Sequence, residues 1–167
     1  MIKIRPFLNT DPPALAEVIN RCCKIESLVS ASLLEHAVFS KICFTHDRLL
    51  IASDGHQLVG FVHLGSEASD DSESSTLTIS NLLFDEGDVP TAVALVDAAT
   101  AFARNKGFSA LRIGSSPENA EYYNGISSHF LNVGIPDFHH VLPILNEIGF
   151  QELTAWICYQ CDPDTIK

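Results

Sequence analysis

Tyr122 and Tyr123 stand side by side shortly after Glu118 and Glu121. A phenol holds its proton up to a pH of about 10, so at neutral pH it can return a proton to a leaving thiolate. A carboxylate such as Glu118 or Glu121 can take a proton. The plain alternative for the tyrosines is that one ring packs and the other faces water. His63 falls inside an apolar run and reads as a structural histidine, with base action through a water as the alternative. His129, His139 and His140 complete the candidates, but adjacent rings at a helix start diverge, so His139-His140 is not a metal pair. No Gly-x-Ser-x-Gly elbow and no His-Glu-x-x-His occurs.

The five cysteines are Cys22, Cys23, Cys43, Cys158 and Cys161. An odd count without framework spacing points to reduced thiols. Cys158 and Cys161 form a CxxC, but no second ligand pair stands at zinc spacing. They also lie in a strand-like run, where residues three apart face opposite sides. They read as buried thiols, and no metal is expected.

The elements that must position these groups follow from periodicity. Ile2 and Ile4 alternate as a strand, and Asn9, Thr10 and Asp11 offer caps for a helix carrying Leu15, Val18, Ile19 and Cys22. A second helix follows Ser30 or Ser32. Residues 49–53 and 57–64 are strands joined by Asp54-Gly55, a strong hairpin signal. Residues 66–75 hold only Ser, Glu, Asp and Ala and read as a solvated surface loop. The strand 76–84 leads through Asp85-Glu86-Gly87-Asp88 to a long helix from Pro90, ended by Lys106-Gly107. Residues 110–114 form a strand, 115–135 are irregular, and a short helix after Pro136 ends at Gly149. A last strand lies within 151–160. No repeat or boundary divides residues 1–167, which read as one domain.

Composition narrows the function. A hydrophobic share of 46% with 19% charged residues is that of a folded domain. The net charge of −11 argues against nucleic acid and against an anionic membrane surface, and it fits a cationic partner such as an amine. No apolar run approaches the roughly 18 residues of a membrane helix. The start, MIKIRPF, enters a strand pattern directly, so a cytoplasmic protein is expected.

The order strand, two helices, hairpin, strand, long helix, strand, helix, strand resembles the GNAT N-acetyltransferase family over nearly the whole chain. Three local matches carry the resemblance: residues 54–61 (DGHQLVGF), residues 98–108 (AATAFARNKGF) and residues 145–150 (LNEIGF). It implies an α/β (α+β) GNAT fold, a mixed central sheet of six or seven strands with about four helices on both faces. It implies acyl transfer from acetyl-CoA to a small-molecule or peptide amine. The pantetheine arm would pair with the backbone of Ser80–Phe84, hence with Leu82, Leu83 and Phe84. The pyrophosphate would sit on the turn Gly87, Asp88, Val89, Pro90, Thr91 and Ala92, with Asn119 also at the cofactor. Tyr122 or Tyr123 would protonate the thiolate, and Glu118, Glu121 or His63 acting through a water would serve as base. A homodimer through the C-terminal strand is a further implication.

The chain departs from the family pattern at two places. Gly87 stands where the family has Arg or Gln, and Pro90 where it has a central Gly. Leu145 stands at the family's tyrosine, four residues before the GF glycine. Asp85, Glu86 and Asp88 also bring carboxylates toward the expected phosphates; one well-placed charge would cost about tenfold in affinity after screening. Two readings therefore stand: an N-acyltransferase, or a GNAT-fold binding or regulatory domain that has lost coenzyme A.

Overall fold

A period of two in Ile2–Arg5 lays the isoleucines on a core as an extended strand. In the computed structural model, which describes residues 1–23, 28–65, 76–114 and 141–152, this segment is β1 (Ile2–Pro6). It leads into α1 (Pro12–Cys23). Asp11, one of the expected caps, is buried and accepts hydrogen bonds from Arg5 Nη1 and Nη2 at 2.7 and 2.8 Å and from the Leu8 N–H at 2.7 Å. Burial pushes the Asp11 carboxyl up, but Arg5 and the Leu8 amide outweigh it and hold it below the usual range.

Ser30 caps α2 (Ala31–Leu34), its Oγ accepting from the Leu33 N–H at 3.2 Å. The helix runs straight on as one wide π turn, Glu35–Phe39. β2 (Leu49–Asp54) and β3 (Gln57–Leu64) form the predicted hairpin, with Gly55 at φ +60° in the turn. β4 (Thr76–Phe84), α3 (Val89–Asn105) and β5 (Ala110–Ile113) follow, then α4 (Val141–Ile148). Gly107 and Gly149, at φ +85° and +105°, stand just past α3 and α4 as expected. Segments 66–75 and 115–135, and all of the expected last strand but Gln151 and Glu152, lie outside the described residues.

The strand order is β1-β2-β3-β4-β5. Neighbours are antiparallel through β4, and β5 is parallel to β4. Parallel neighbours need a long crossover, and α3 supplies it. The described residues thus form five of the six or seven expected strands. Apolar side chains cover both faces. Leu15, Val18, Ile19, Leu34 and Val38 pack with Leu49, Ile51, Phe61 and Leu83 on the α1–α2 face. Leu95, Val96, Ala99, Ile144 and Leu145 pack with Leu50, Val62, Leu77, Leu82 and Phe84 on the α3–α4 face. Burying one such large side chain contributes about 1.5–3 kcal/mol.

Two local features fix where α3 begins. Leu64 pairs with Ile79 and His63 with Asn81, so Ser80 is an extra residue in β4. This bulge shifts the phase of the strand, letting Leu82 and Phe84 face α3 as Leu77 and Ile79 do. Gly60, paired with Phe84, lies under the first turns of α3. A Cβ there would meet Leu83 O at 2.6 Å, Thr91 Cγ2 at 3.1 Å and Leu95 Cδ1 at 3.2 Å. Glycine is what lets the helix sit directly on the sheet. Among the described residues no helix is long and apolar enough to cross a membrane.

Candidate functional site at the end of strand β4

Pairing of β4 with β5 runs from Thr76–Ala110 to Ile79–Ile113. Gly114 adds one bond, its N–H donating to Ile79 O at 3.1 Å, at φ +88°. That left-handed conformation favours glycine. β4, by contrast, stays paired with β3 as far as Phe84. Ser80–Leu83 therefore have β3 on one side and no described strand on the other. Main-chain groups along such a stretch require partners, and an extended ligand arm can supply them.

The predicted cofactor residues Leu82, Leu83 and Phe84 lie on this stretch, but their side chains belong to the two cores. Only their main chain is left for a ligand. The surface shrinks along the strand: Ser80 is partly exposed, Asn81 8%, Leu82 5%, Leu83 2% and Phe84 1%. Accessible surface on this stretch is greatest at Ser80.

The turn that follows is closed by its own hydrogen bonds. The Asp88 N–H donates to Asp85 O at 3.0 Å and the Val89 N–H to Gly87 O at 3.0 Å. Pro90 has no N–H. The Thr91 N–H donates to Asp88 Oδ1 at 3.2 Å and the Ala92 N–H to Asp88 O at 3.1 Å. The hydroxyl of buried Thr91 donates to Asp88 Oδ2 at 2.5 Å. Asp88 is thus the N-cap of α3, as Asp often is. Gly87, at φ +81°, holds a conformation that the family's Arg or Gln would strain.

The three turn carboxylates have different situations. Asp85 Oδ1 is held by Arg21 Nε of α1 at 2.6 Å. Arg21 Nη2 also reaches Leu58 O at 3.4 Å, tying the end of α1 to β3 and to the turn. Asp88 serves as cap, and Glu86 is exposed. The expected concentration of three acids at a phosphate is therefore corrected: one charge is paired and one is engaged in the helix start. Arg21 escaped the sequence reading because it stands 64 positions before Asp85. The Asp88–Thr91 cap had a signal, an Asp three residues before a Thr at the head of an apolar run. Cys22 lies beside the pair, its Sγ 3.6 Å from Asp85 Oδ1, and burial together with the Asp85 charge pushes its thiol up to about 12.

Other candidates fall elsewhere. His63 is fully buried, edge-on to Phe44 at 5.7 Å. Burial, then the charges of Arg48 and Lys41, push it down to about 3, so it stays neutral and is a poor base. Its burial fits the reading of a structural histidine. Leu145 is buried in the α3–α4 core. Glu118, Asn119, Glu121, Tyr122, Tyr123, His129, His139, His140, Cys158 and Cys161 lie outside the described residues.

Measured against coenzyme A, the two halves of the site differ. For an extended arm, the main chain of Ser80–Leu83 offers groups beside which no strand is described. The diphosphate does not fit the turn as built, because its amides from 88 to 92 already donate inside the protein.

No protein-family model matches the chain. No curated protein matches it by sequence. Solved structures do match. A transcriptional regulator from Bacillus halodurans C-125 gives a TM-score of 0.67 at 14% identity, covering 96% of this chain and 100% of that one. A ribosomal-protein-alanine N-acetyltransferase from Brucella melitensis biovar Abortus 2308 gives 0.61 at 15% identity, covering 96% and 98%. The aminoglycoside N-acetyltransferase AAC(6')-Iy, solved in complex with CoA, gives 0.62 at 14% identity, covering 96% and 95%. At such identities the likeness establishes the fold, and that fold is the one GNAT acetyltransferases share.

Proposed function

We propose that this GNAT-fold chain is a thioester-dependent N-acyltransferase that moves an acetyl or related acyl group from coenzyme A to an amine. The main chain of β4 beyond Ile79, beside which no strand is described, carries the reading. Main-chain groups on such a stretch require hydrogen-bond partners, and a ligand arm lying along it would supply them. The coenzyme supplies the acyl group as an activated thioester. The chain's part is to hold the arm along Ser80–Leu82 and to handle protons, with Tyr122 or Tyr123 as donor and Glu118 as acceptor. A net charge of −11 favours a cationic small-molecule or peptide amine as the acceptor.

A second reading, a binding or regulatory domain without coenzyme, is favoured by the closed turn at Asp88. Release of free thiol separates the two. The protein is incubated with acetyl-CoA or acetylpantetheine and with panels of polyamine, amino-sugar and peptide acceptors. Amine-dependent thiol release supports transfer. No release with any acceptor, together with no binding of either thioester, would establish the second reading instead.

A further inference from the structure

The turn before α3 and the coenzyme that the fold implies do not match, and we infer that Asp88 closes the turn: its carboxylate occupies the anion seat at the start of α3. The N–H groups of a first helical turn converge on one position at the positive end of the helix dipole. In this chain that position is filled by a covalently attached carboxylate, held by the Thr91 N–H and the Thr91 hydroxyl. An attached anion competes with a dissolved one at high effective concentration. A diphosphate would have to displace Asp88 and then lie beside its charge. The neighbouring donors do not relieve this. Val89 donates back to Gly87, Ala92 donates to the Asp88 carbonyl, and Pro90 has no N–H. Arg21, which reaches the turn from α1, is held by Asp85.

The closure bears on the class of substrate. For the acyl-transfer reading, on which this consequence rests, the donor is held by its arm and not by its nucleotide. Acyl groups on a short pantetheine arm then serve as well as those on coenzyme A. The donor pocket would select for the acyl chain and the arm.

The test is calorimetric titration of the wild type, Asp88→Gly and Asp88→Asn with coenzyme A and with pantetheine. Glycine is an acceptable N-cap, and circular dichroism checks that the helix persists. In the wild type, coenzyme A should bind no more than threefold tighter than pantetheine. In Asp88→Gly, coenzyme A should tighten at least tenfold while pantetheine is unchanged. A wild type that prefers coenzyme A tenfold or more overturns the inference. So does an Asp88→Gly variant that folds and gains nothing. If the glycine variant unfolds, Asp88→Asn, which removes the charge, is read with a threshold of threefold. Failure of both pantetheine and coenzyme A to bind the wild type counts against acyl transfer, whereas a gain in coenzyme A affinity on removing Asp88 upholds the closure all the same.

Discussion

Thr91 gives both of its protons to Asp88: its N–H donates to Oδ1 at 3.2 Å and its hydroxyl to Oδ2 at 2.5 Å. The same residue lays Cγ2 against Gly60, where an added Cβ would stand 3.1 Å away. One buried threonine thus joins the helix cap to the sheet. Replacing Asp88 by alanine removes the cap and strands the hydroxyl. A loss of about 2 kcal/mol is expected in urea unfolding. Thr91→Val, which keeps the shape, should cost about 1 kcal/mol.

Acid stability should change in two stages. His63 has an ordinary value of 6.5 and is pushed down to about 3 in the fold. Between those values the unfolded chain binds the extra proton, so stability falls as pH falls, by up to about 1.4 kcal/mol per pH unit. Asp11 is held below its ordinary 3.8. Its contribution is complete above that value and is lost as pH drops further. Unfolding followed from pH 7 to 2 should show a flatter upper stage for His63→Gln and a flatter lower stage for Asp11→Asn. Unchanged slopes would remove both assignments.

Much of this frame was legible in the sequence. Asp54-Gly55 marked the hairpin, Lys106-Gly107 the end of α3 and Gly149 the end of α4, because turn and cap residues act locally. The mismatch at Gly87 and Pro90 was legible too. The pairing of Arg21 with Asp85 was not, since an ion pair between elements far apart in the chain leaves no periodicity. Nor was the Ser80 bulge. Residues 76–84 look like an ordinary strand, and only pairing with β3 reveals the extra residue. The meaning of the acids also changed: charge could be counted in advance, but its neutralisation by α1 could not.

Cys22 should resist alkylation. Its thiol, pushed up to about 12 by burial and by Asp85, is almost wholly protonated at pH 8, and the thiolate is the reactive form. Peptide mass spectrometry after iodoacetamide treatment should find Cys22 unmodified in the folded protein and modified in urea. Asp85→Asn removes a neighbouring negative charge and should speed the reaction. Equal rates in the two folded proteins would show that burial alone protects the thiol.

Gly60→Ala tests how tightly α3 is seated. The new methyl would stand 2.6 Å from Leu83 O, a backbone atom that cannot swing aside. A loss of about 1–3 kcal/mol is expected, typical of overpacking. Hydrogen exchange should rise at Thr91 and Leu95. A neutral substitution would mean that the helix slides outward freely.

Ser80 acts as a parity switch. Odd-numbered Leu77 and Ile79 face α3 and α4; beyond Ser80, even-numbered Leu82 and Phe84 do so, which leaves Leu83 for the α1 face and Asp85 to meet Arg21. A shift of one residue in a surface loop is absorbed nearby, but pairing Ser80 regularly in the ladder, without the bulge, would invert every later choice on the strand at once. Leu82 and Phe84 would turn toward α1, Leu83 toward α3, and Asp85 would point away from its arginine. One small serine therefore works like a reading frame in three dimensions, and the whole approach to α3 is written in the frame it sets.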